Sequence, residues 1–245
     1  MSVKPTDTSF PAAVLFDMDG TLVDTEHLWL QAERLTMERI GGTWTAADQA
    51  HCLGGPLERV VEYMADRGDP SVMGGLESVG VGAFLIDTME RLLLAEEIVW
   101  QPGARALVCE VVERGIPTAL VTASWRRLID AVHVSIAGDL GFEPFTVIVG
   151  GDEVTHSKPH PAPYLQAAGL LGVSPADCLV IEDSPTGAAS GVAAGCWVIA
   201  VPHMAAVAPG ERLAIVDSLA GCSIDDLWGH TLRLLEPQTP VVASG

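Results

Sequence analysis

The chain has 245 residues, of which 49% are hydrophobic and 18% charged, and its formal net charge is -19. That much apolar sequence is enough for a sizeable core and a second small module. The strong negative charge argues against nucleic acid or an anionic membrane as a partner. No apolar run approaches the roughly 20 residues of a membrane span, and the polar start, Met1–Phe10, carries no signal-peptide core. Five scattered cysteines without metal-type spacing indicate reduced thiols of a cytoplasmic protein.

Short, continuously apolar runs rich in β-branched residues recur along the chain. Runs of this kind, without alternation of inward and outward residues, are typical of parallel strands covered on both faces. Helical stripes lie between them, such as Tyr164, Ala167, Ala168 and Leu171, which Gly172 ends. The alternation predicts an α/β fold with a doubly wound, Rossmann-like parallel sheet. The six predicted strands are Ala12–Phe16, Thr118–Val121, Thr146–Val149, Leu179–Ile181, Trp197–Val201 and Ala214–Val216.

One stretch, from about residue 28 to residue 98, breaks this alternation. It contains helical stripes and no convincing strand, and glycine and proline punctuate its gaps, as at Gly54-Gly55-Pro56. The simplest interpretation is an all-helical module inserted after the first strand; the alternative is that these helices extend one larger core. The predicted division is an α/β core over residues 11–27 and 99–236, an inserted helical module over 28–98, and loose tails at 1–10 and 237–245.

Two acidic residues, Asp17 and Asp19, follow the first predicted strand and precede Gly20. Ligands of parallel α/β sheets bind beyond the carboxyl ends of the strands, and a glycine allows a sharp turn there. Two nearby carboxylates in different environments can divide their roles, one staying ionised while the other exchanges a proton. Taken alone, the same pattern also suits a surface turn.

Three further strand ends carry polar residues that strengthen the functional interpretation. Thr122 follows the second strand, and its hydroxyl is suited to hold a phosphate oxygen. Lys158 lies in a proline-rich loop between a predicted strand and a helix, and Lys4 is the only other lysine of the chain. Glu182 and Asp183 directly follow a buried apolar strand, where unpaired acids are costly. With Asp17 and Asp19 they supply the hard oxygen ligands that Mg2+ prefers.

These elements, in this order, resemble the four motifs of the haloacid-dehalogenase-like hydrolase superfamily over nearly the whole chain. The first motif is Phe16–Glu26, the second Val121-Thr122, the third Lys158-Pro159, and the fourth Ile181–Gly187. The helical insertion after Asp24 is similar to the small helical cap of that superfamily. Within it, the chain most resembles the branch of β-phosphoglucomutase and the sugar-phosphate phosphatases.

The resemblance implies a phosphatase that acts through a phosphorylated aspartate. Asp17 would attack the phosphorus, and Asp19 would protonate the leaving alcohol and later activate water. Mg2+ would bind Asp17, Asp183 and the backbone carbonyl of Asp19, with Glu182 supporting this group of ligands. Lys158, Thr122 and backbone amides near Met18 and Ala123 would stabilise the phosphoryl oxygens.

Other activities of the superfamily fit the residues less well. Its dehalogenases do not need the second acid, and its phosphonate hydrolases use a cap lysine that is missing between Lys4 and Lys158. The mutase remains the serious alternative, but it has a hinge histidine where Trp29 stands, with His27 out of register, and a cap-loop arginine near the place of Leu57. A phosphorylatable receiver is a remote alternative, since its lysine follows its threonine much later and it has no cap.

Several residues keep two interpretations at this point. Arg126 and Arg127 follow Thr122 closely and either contact a phosphate or form a solvated helix face. Trp29 either shapes the substrate pocket or packs in the core. His156 and His160 flank Lys158 and either line the edge of the site or face water. The expected ligand is a small phosphorylated metabolite, with a small sugar phosphate as the default, and a monomer is expected.

Overall fold

The computed structural model describes residues 9–52, 57–74 and 77–234. Its centre is a six-stranded, wholly parallel sheet in the order β3-β2-β1-β4-β5-β6. All six predicted strands are confirmed, with ends that shift by no more than one residue, and so is the doubly wound α/β class. The strands are β1 Ala13–Phe16, β2 Thr118–Val121, β3 Val147–Val149, β4 Cys178–Glu182, β5 Trp197–Ala200 and β6 Leu213–Ile215.

Helices cover both faces of this sheet, which explains why its central strands are apolar throughout. On one face β1 presents Ala13 and Leu15 to a cluster shared with α8 and α9, and on the other Val14 and Phe16 to a cluster shared with α6, α7 and α10. Every residue of β1, β2, β4 and β5 is buried. The helices of this part are α6 Ala104–Glu113, α7 Arg126–Leu140, α8 Ala162–Leu171, α9 Pro185–Ala193 and α10 Ile224–Arg233, and 3-10 turns span Gly151–Glu153 and Pro175–Asp177.

The described part of the stretch between β1 and α6 contains helices and no strand. Helix α5 packs against α1 and α3 and also against α7, and one hydrophobic cluster runs from these helices to the sheet. The two segments that connect this helical stretch to the sheet run side by side, with Val23 bridging Trp100 and the Asp24 amide donating to the Val99 carbonyl at 2.8 Å. The five helices are α1 Glu26–Arg39, α2 Ala46–Cys52, α3 Leu57–Ala65, α4 Pro70–Met73 and α5 Ser78–Ala95.

The register of the sheet brings the polar strand ends to one edge. Phe16 of β1 lies opposite Leu120 of β2 and Ile181 of β4. Because all strands run in the same direction, the next residues along the three strands lie beside one another at the carboxyl edge. None of the helices in the described part of the chain is both long and apolar enough to cross a lipid bilayer.

Candidate active site

A buried lysine joins three of the strand ends. Lys158 Nζ donates to Asp17 Oδ1 at 2.7 Å, to Glu182 Oε1 at 2.6 Å and to the Val121 carbonyl at 2.8 Å, so each of its three protons has an acceptor. Although burial alone would lower the pKa of Lys158, the Asp17 and Glu182 carboxylates raise it above its usual value. The lysine therefore stays charged and provides a fixed positive charge next to Asp17.

Glu182 is the most deeply buried carboxylate of the site, and both of its oxygens have donors. Besides Lys158, Oε1 accepts from the Tyr164 hydroxyl at 2.8 Å. Oε2 accepts from the amides of Asp183 and Ser184 at 3.2 and 3.3 Å and from the Ser184 hydroxyl at 3.1 Å. A side chain at Gly187 would collide with this carboxylate, so the glycine is needed for the close approach. Through these hydrogen bonds the Glu182 carboxylate fixes the position of Lys158 and of the loop after β4.

Asp17 and Asp183 approach each other at the strand edge and leave room for a cation. One ligand oxygen each from Asp17, Glu182 and Asp183 lies within 4.8 Å of the others. Thr21 Oγ1 lies 2.9 Å from Asp17 Oδ2 and 3.2 Å from Asp183 Oδ1. Gly20, with φ of 81°, turns the chain here, and a Cβ at this position would strike the Asp183 carboxylate.

The electrostatics of this cluster fit a divalent metal ion. Burial and the charge of Glu182 raise the pKa of Asp17 to about 7, and burial and the charge of Asp17 raise the pKa of Asp183 to about 9. Three buried carboxylates face a single lysine, which leaves negative charge uncompensated. A hard cation held by carboxylate oxygens offsets this kind of repulsion.

Asp19 points to the other side of the turn. Its Oδ1 accepts from the Thr25 hydroxyl at 2.6 Å, and its Oδ2 accepts from the Ser124 hydroxyl at 2.7 Å and, at 3.4 Å, from Thr122. Its carboxylate is not part of the cluster of Asp17, Glu182 and Asp183. Two acids one residue apart are thus held in different environments, as a division of roles requires.

The site opens into a cavity of about 270 Å³ between the sheet edge and the helical stretch. Asp17, Asp19, Lys158 and Asp183 line it, as do Thr122, Ala123 and Ser124 after β2. Trp29 of α1 also lines the cavity and packs against the hydrophobic core, so both interpretations of this tryptophan remain. The Ser124 amide donates to Thr122 Oγ1 at 3.1 Å, which fixes the loop that follows β2.

Several other candidates are not brought to this cavity. The Arg126 guanidinium binds the Glu153 carboxylate, 2.6 Å from Oε2, and the Ile148 carbonyl, and Arg126 is not among the residues that line the cavity. Arg127 pairs with Asp87 and Glu90 of α5. His156 and His160 face each other with ring centroids 4.7 Å apart and do not line the cavity.

Five residues whose hydroxyls contact the acidic groups are missing from the sequence-based site. Thr21 contacts Asp17 and Asp183, Thr25 and Ser124 contact Asp19, and Tyr164 and Ser184 contact Glu182. Thr21 and Thr25 lie inside the first motif, so its spacing contained a signal for them. Tyr164 carried only the signal of an apolar helix stripe, because a buried tyrosine usually packs its ring in the core.

Comparison with known proteins assigns this site to a family. Residues 14–201 match the model of the haloacid dehalogenase-like hydrolases. The chain belongs to this family. It is 34% identical over 198 residues to hexitol phosphatase A of Escherichia coli, covering 76% of this chain and 81% of that protein. This relative confirms the predicted resemblance to sugar-phosphate phosphatases of the family.

Two further relatives extend the comparison. The bifunctional riboflavin kinase/FMN phosphatase of Arabidopsis thaliana is 34% identical over 206 residues, which cover 83% of this chain and 52% of that protein. The chain therefore spans about half the length of this relative. The crystal structure of a CbbY variant from Rhodobacter sphaeroides in complex with xylulose-(1,5)-bisphosphate superposes with a TM-score of 0.74 at 28% identity, covering 86% of this chain and 96% of that one.

Proposed function

We propose that this hydrolase is a Mg2+-dependent phosphatase that cleaves a small phosphomonoester through a phosphorylated Asp17. The observation that carries the proposal is the position of the Asp17 carboxylate, which lies 2.7 Å from the Lys158 ammonium, beside Asp183, and at the floor of a cavity. The hexitol and FMN phosphatases among the relatives support phosphomonoester hydrolysis, and the CbbY complex supports a phosphorylated metabolite as the ligand.

In this proposal Asp17 attacks the phosphorus and the phosphorus–oxygen bond to the leaving alcohol breaks. A carboxylate is a weak nucleophile, so most of the rate enhancement must come from orientation and neutralisation of charge. Lys158 offsets the negative charge on Asp17 and on the phosphoryl oxygens. The Thr122 hydroxyl and the amides of Ala123 and Met18 would act as further donors to those oxygens.

Asp19 carries the proton in both half-reactions. It gives a proton to the leaving alcohol and then takes one from the water that attacks the phosphorylated Asp17. The hydroxyls of Thr25 and Ser124 hold its two oxygens in place and keep them apart from the acidic cluster. One carboxyl group can therefore serve as acid and then as base without moving.

The residues that would hold the magnesium ion are Asp17 and Asp183, with the backbone carbonyl of Asp19 as a further ligand. We assign Glu182 to the support of these ligands, because its oxygens already accept hydrogen bonds from Lys158, Tyr164 and the loop after β4. When bound, the ion would neutralise part of the charge that gathers on the phosphoryl group.

The position of the histidines favours a hydrolase over the mutase alternative. His27 Nε2 lies 3.1 Å from Glu96 Oε2 at the connection between the helical stretch and the sheet, and it does not line the cavity. Trp29 lines the cavity instead, and its indole N–H does not act as an acid or base toward a sugar hydroxyl near neutral pH. Arg59 donates to the His51 carbonyl outside the cavity, while Gly54-Gly55-Pro56 of the cap loop lies outside the described residues.

The proposal also covers the domain organisation, the cellular location and the oligomeric state of the protein. The helical stretch forms a cap domain over residues 28–98, and the paired segments at Val23 and Trp100 form its connection to the core. A cytoplasmic monomer remains the expected state. The five cysteines are all free thiols, which is compatible with a reducing compartment.

The test combines a substrate screen with a titration of the metal. The purified protein should release phosphate from small phosphomonoesters in Mg2+ and lose this activity in EDTA. Asp183→Asn should raise the Mg2+ concentration needed for half-maximal activity by at least about 10- to 100-fold, the range seen for weaker outer-shell changes. The exposed Asp66→Asn is the matched control and should leave this concentration unchanged. Activity that persists in EDTA, or isomerisation of β-glucose 1-phosphate without phosphate release, would refute the proposal.

A further inference from the structure

The helical side of the cavity presents one polar helix face to the catalytic carboxylates. Glu26, Trp29 and Glu33 of α1 line it at a spacing of three and four residues, which places them on the same face of the helix. Helices α2 and α3 complete the wall with Gln49, Cys52, Leu57 and Val60. A phosphate held at the sheet edge would therefore direct its alcohol toward a wall that mixes apolar groups with hydrogen-bond acceptors.

Glu33 is the buried acid of this wall, and it has capacity for another donor. Only 8% of the residue is exposed, and its Oε2 accepts from the Trp44 indole at 2.7 Å. No other group of the described residues donates to its carboxylate. Burial raises the pKa of Glu33 to about 7 against the opposing effect of the Trp44 hydrogen bond, with the charge of Glu26 adding to the rise. A carboxylate in this state gains from each further hydrogen bond that it accepts.

The charge of the cavity restricts which donors can approach Glu33. Among the described residues that line the cavity, Lys158 is the only lysine or arginine, and its protons are used by Asp17, Glu182 and the Val121 carbonyl. A carboxylate or a second phosphate on the leaving group would meet Glu26 and Glu33 without a compensating cation. Unpaired charges are expensive in such a site, whereas a neutral hydroxyl donates at little cost.

Building on the proposed phosphatase activity, we propose that Glu33 determines specificity by accepting a hydrogen bond from a hydroxyl of a neutral, polyhydroxylated leaving group. Trp44 acts as a positioning residue, because its indole N–H fixes Oε2 and leaves Oε1 without a donor among the described residues. The preferred substrate class is then the phosphomonoester of a polyol or neutral sugar. Phosphorylated acids and bisphosphates are selected against by the same carboxylate.

The experiment compares kcat/KM of the full chain in Mg2+ on three substrates. They are hexitol 6-phosphate as the neutral polyol, phosphoglycolate as the anionic leaving group, and p-nitrophenyl phosphate as a leaving group with no hydroxyl donor. The wild type should prefer the hexitol phosphate to phosphoglycolate. Glu33→Gln replaces an acceptor with an amide donor while its carbonyl can still accept from Trp44. The substitution should lower the ratio of kcat/KM for hexitol 6-phosphate to kcat/KM for p-nitrophenyl phosphate by about 10- to 100-fold. This is the effect of losing a hydrogen bond to a charged group.

The controls separate this proposal from the function on which it rests. Glu38→Gln changes an exposed acid of the same helix and should leave all three values as in the wild type. Trp44→Phe should also lower the ratio of kcat/KM for hexitol 6-phosphate to kcat/KM for p-nitrophenyl phosphate, as Glu33→Gln does. If the wild type hydrolyses no phosphomonoester, the proposed function itself fails. The role of Glu33 is refuted if the wild type is an active phosphatase that prefers phosphoglycolate, or if Glu33→Gln lowers kcat/KM equally for every substrate. In either case the proposed phosphatase activity is unaffected.

Discussion

The two sides of the cavity are built in different ways. On the sheet side the carboxylates of Asp17, Asp19 and Glu182 each accept at least two hydrogen bonds, and Lys158 alone connects Asp17, Glu182 and the carbonyl of Val121. On the helical side Glu33 has a single partner, Trp44, and its neighbours are largely apolar. The sheet side is therefore preorganised before any ligand binds, whereas the helical side keeps a buried acceptor for the ligand to satisfy.

This difference separates the chemistry from the selection of the substrate. Charges that act on the phosphoryl group come from the ends of β1 and β4, which the sheet register holds in place, and from Lys158 in the loop before α8. Groups that face the leaving alcohol come from α1, α2 and α3, whose side chains can change without disturbing the sheet. Substitutions on the sheet side should thus reduce turnover of all substrates, and substitutions on the helical side should change their ranking.

The largest expected effect is on the sheet side. Asp17→Asn removes the nucleophile and should lower kcat by at least about 10³-fold on every substrate, in line with losses seen when a catalytic nucleophile is deleted. The circular dichroism spectrum and thermal unfolding should show that the variant stays folded. Asp66→Asn is again the exposed control. An Asp17→Asn variant with wild-type turnover would remove the basis for a covalent phosphatase.

The next prediction concerns stability and tests whether the sheet side is held by Lys158. Lys158→Met keeps the length of the side chain but leaves the buried carboxylates of Asp17 and Glu182 without their cation. The free energy of unfolding, measured with urea in EDTA, should fall by about 3–5 kcal/mol. Arg105→Met breaks an exposed pair with Asp139 and should change stability far less. Equal effects of the two substitutions would show that the buried lysine has no special structural role.

A smaller effect is expected on the helical side, and it depends on pH. The pKa of Glu33 is raised from 4.5 to about 7, so the folded state binds this proton more tightly than the unfolded state. Ionisation of Glu33 therefore costs stability as the pH rises from about 4.5 to about 7. Glu33→Gln removes that cost and should gain up to roughly 3 kcal/mol relative to the wild type across this range. Urea unfolding of both proteins at pH 5 and pH 8 measures how much more stable Glu33→Gln is than the wild type. If this gain in the free energy of unfolding is the same at both pH values, the result contradicts a buried, ionisable Glu33.

The sheet side could be predicted from sequence because its signals are local. Each strand is a continuous apolar run, and Asp17, Thr122 and Glu182 come directly after such runs at the edge where ligands of parallel sheets bind. The scarcity of lysine indicated a functional role for Lys158 rather than a place on the solvated surface. These inferences needed only the chain direction of the strands, which the register then confirms.

The helical side could not be predicted in the same way. The spacing of Leu28, Ala32 and Leu35 in the sequence predicts that they share the buried face of α1, but Leu35 is 37% exposed whereas Glu33 is buried. A glutamate inside a helix is usually solvated, and its burial here depends on an indole donor that lies beyond the end of the helix. The contact of Arg126 could not be predicted either, because its partner Glu153 lies 27 residues away along the chain in a separate turn.

The most direct test of the mechanism uses Asp19→Asn with p-nitrophenyl phosphate. The nitrophenolate leaves without protonation, so the first step should proceed while the second step lacks its base. We predict a burst of one equivalent of nitrophenolate, followed by slow turnover, and a phosphoryl group on the peptide that contains Asp17 by mass spectrometry. Steady turnover without a burst and no phosphorylated Asp17, or a phosphoryl group on any other residue, would contradict the account.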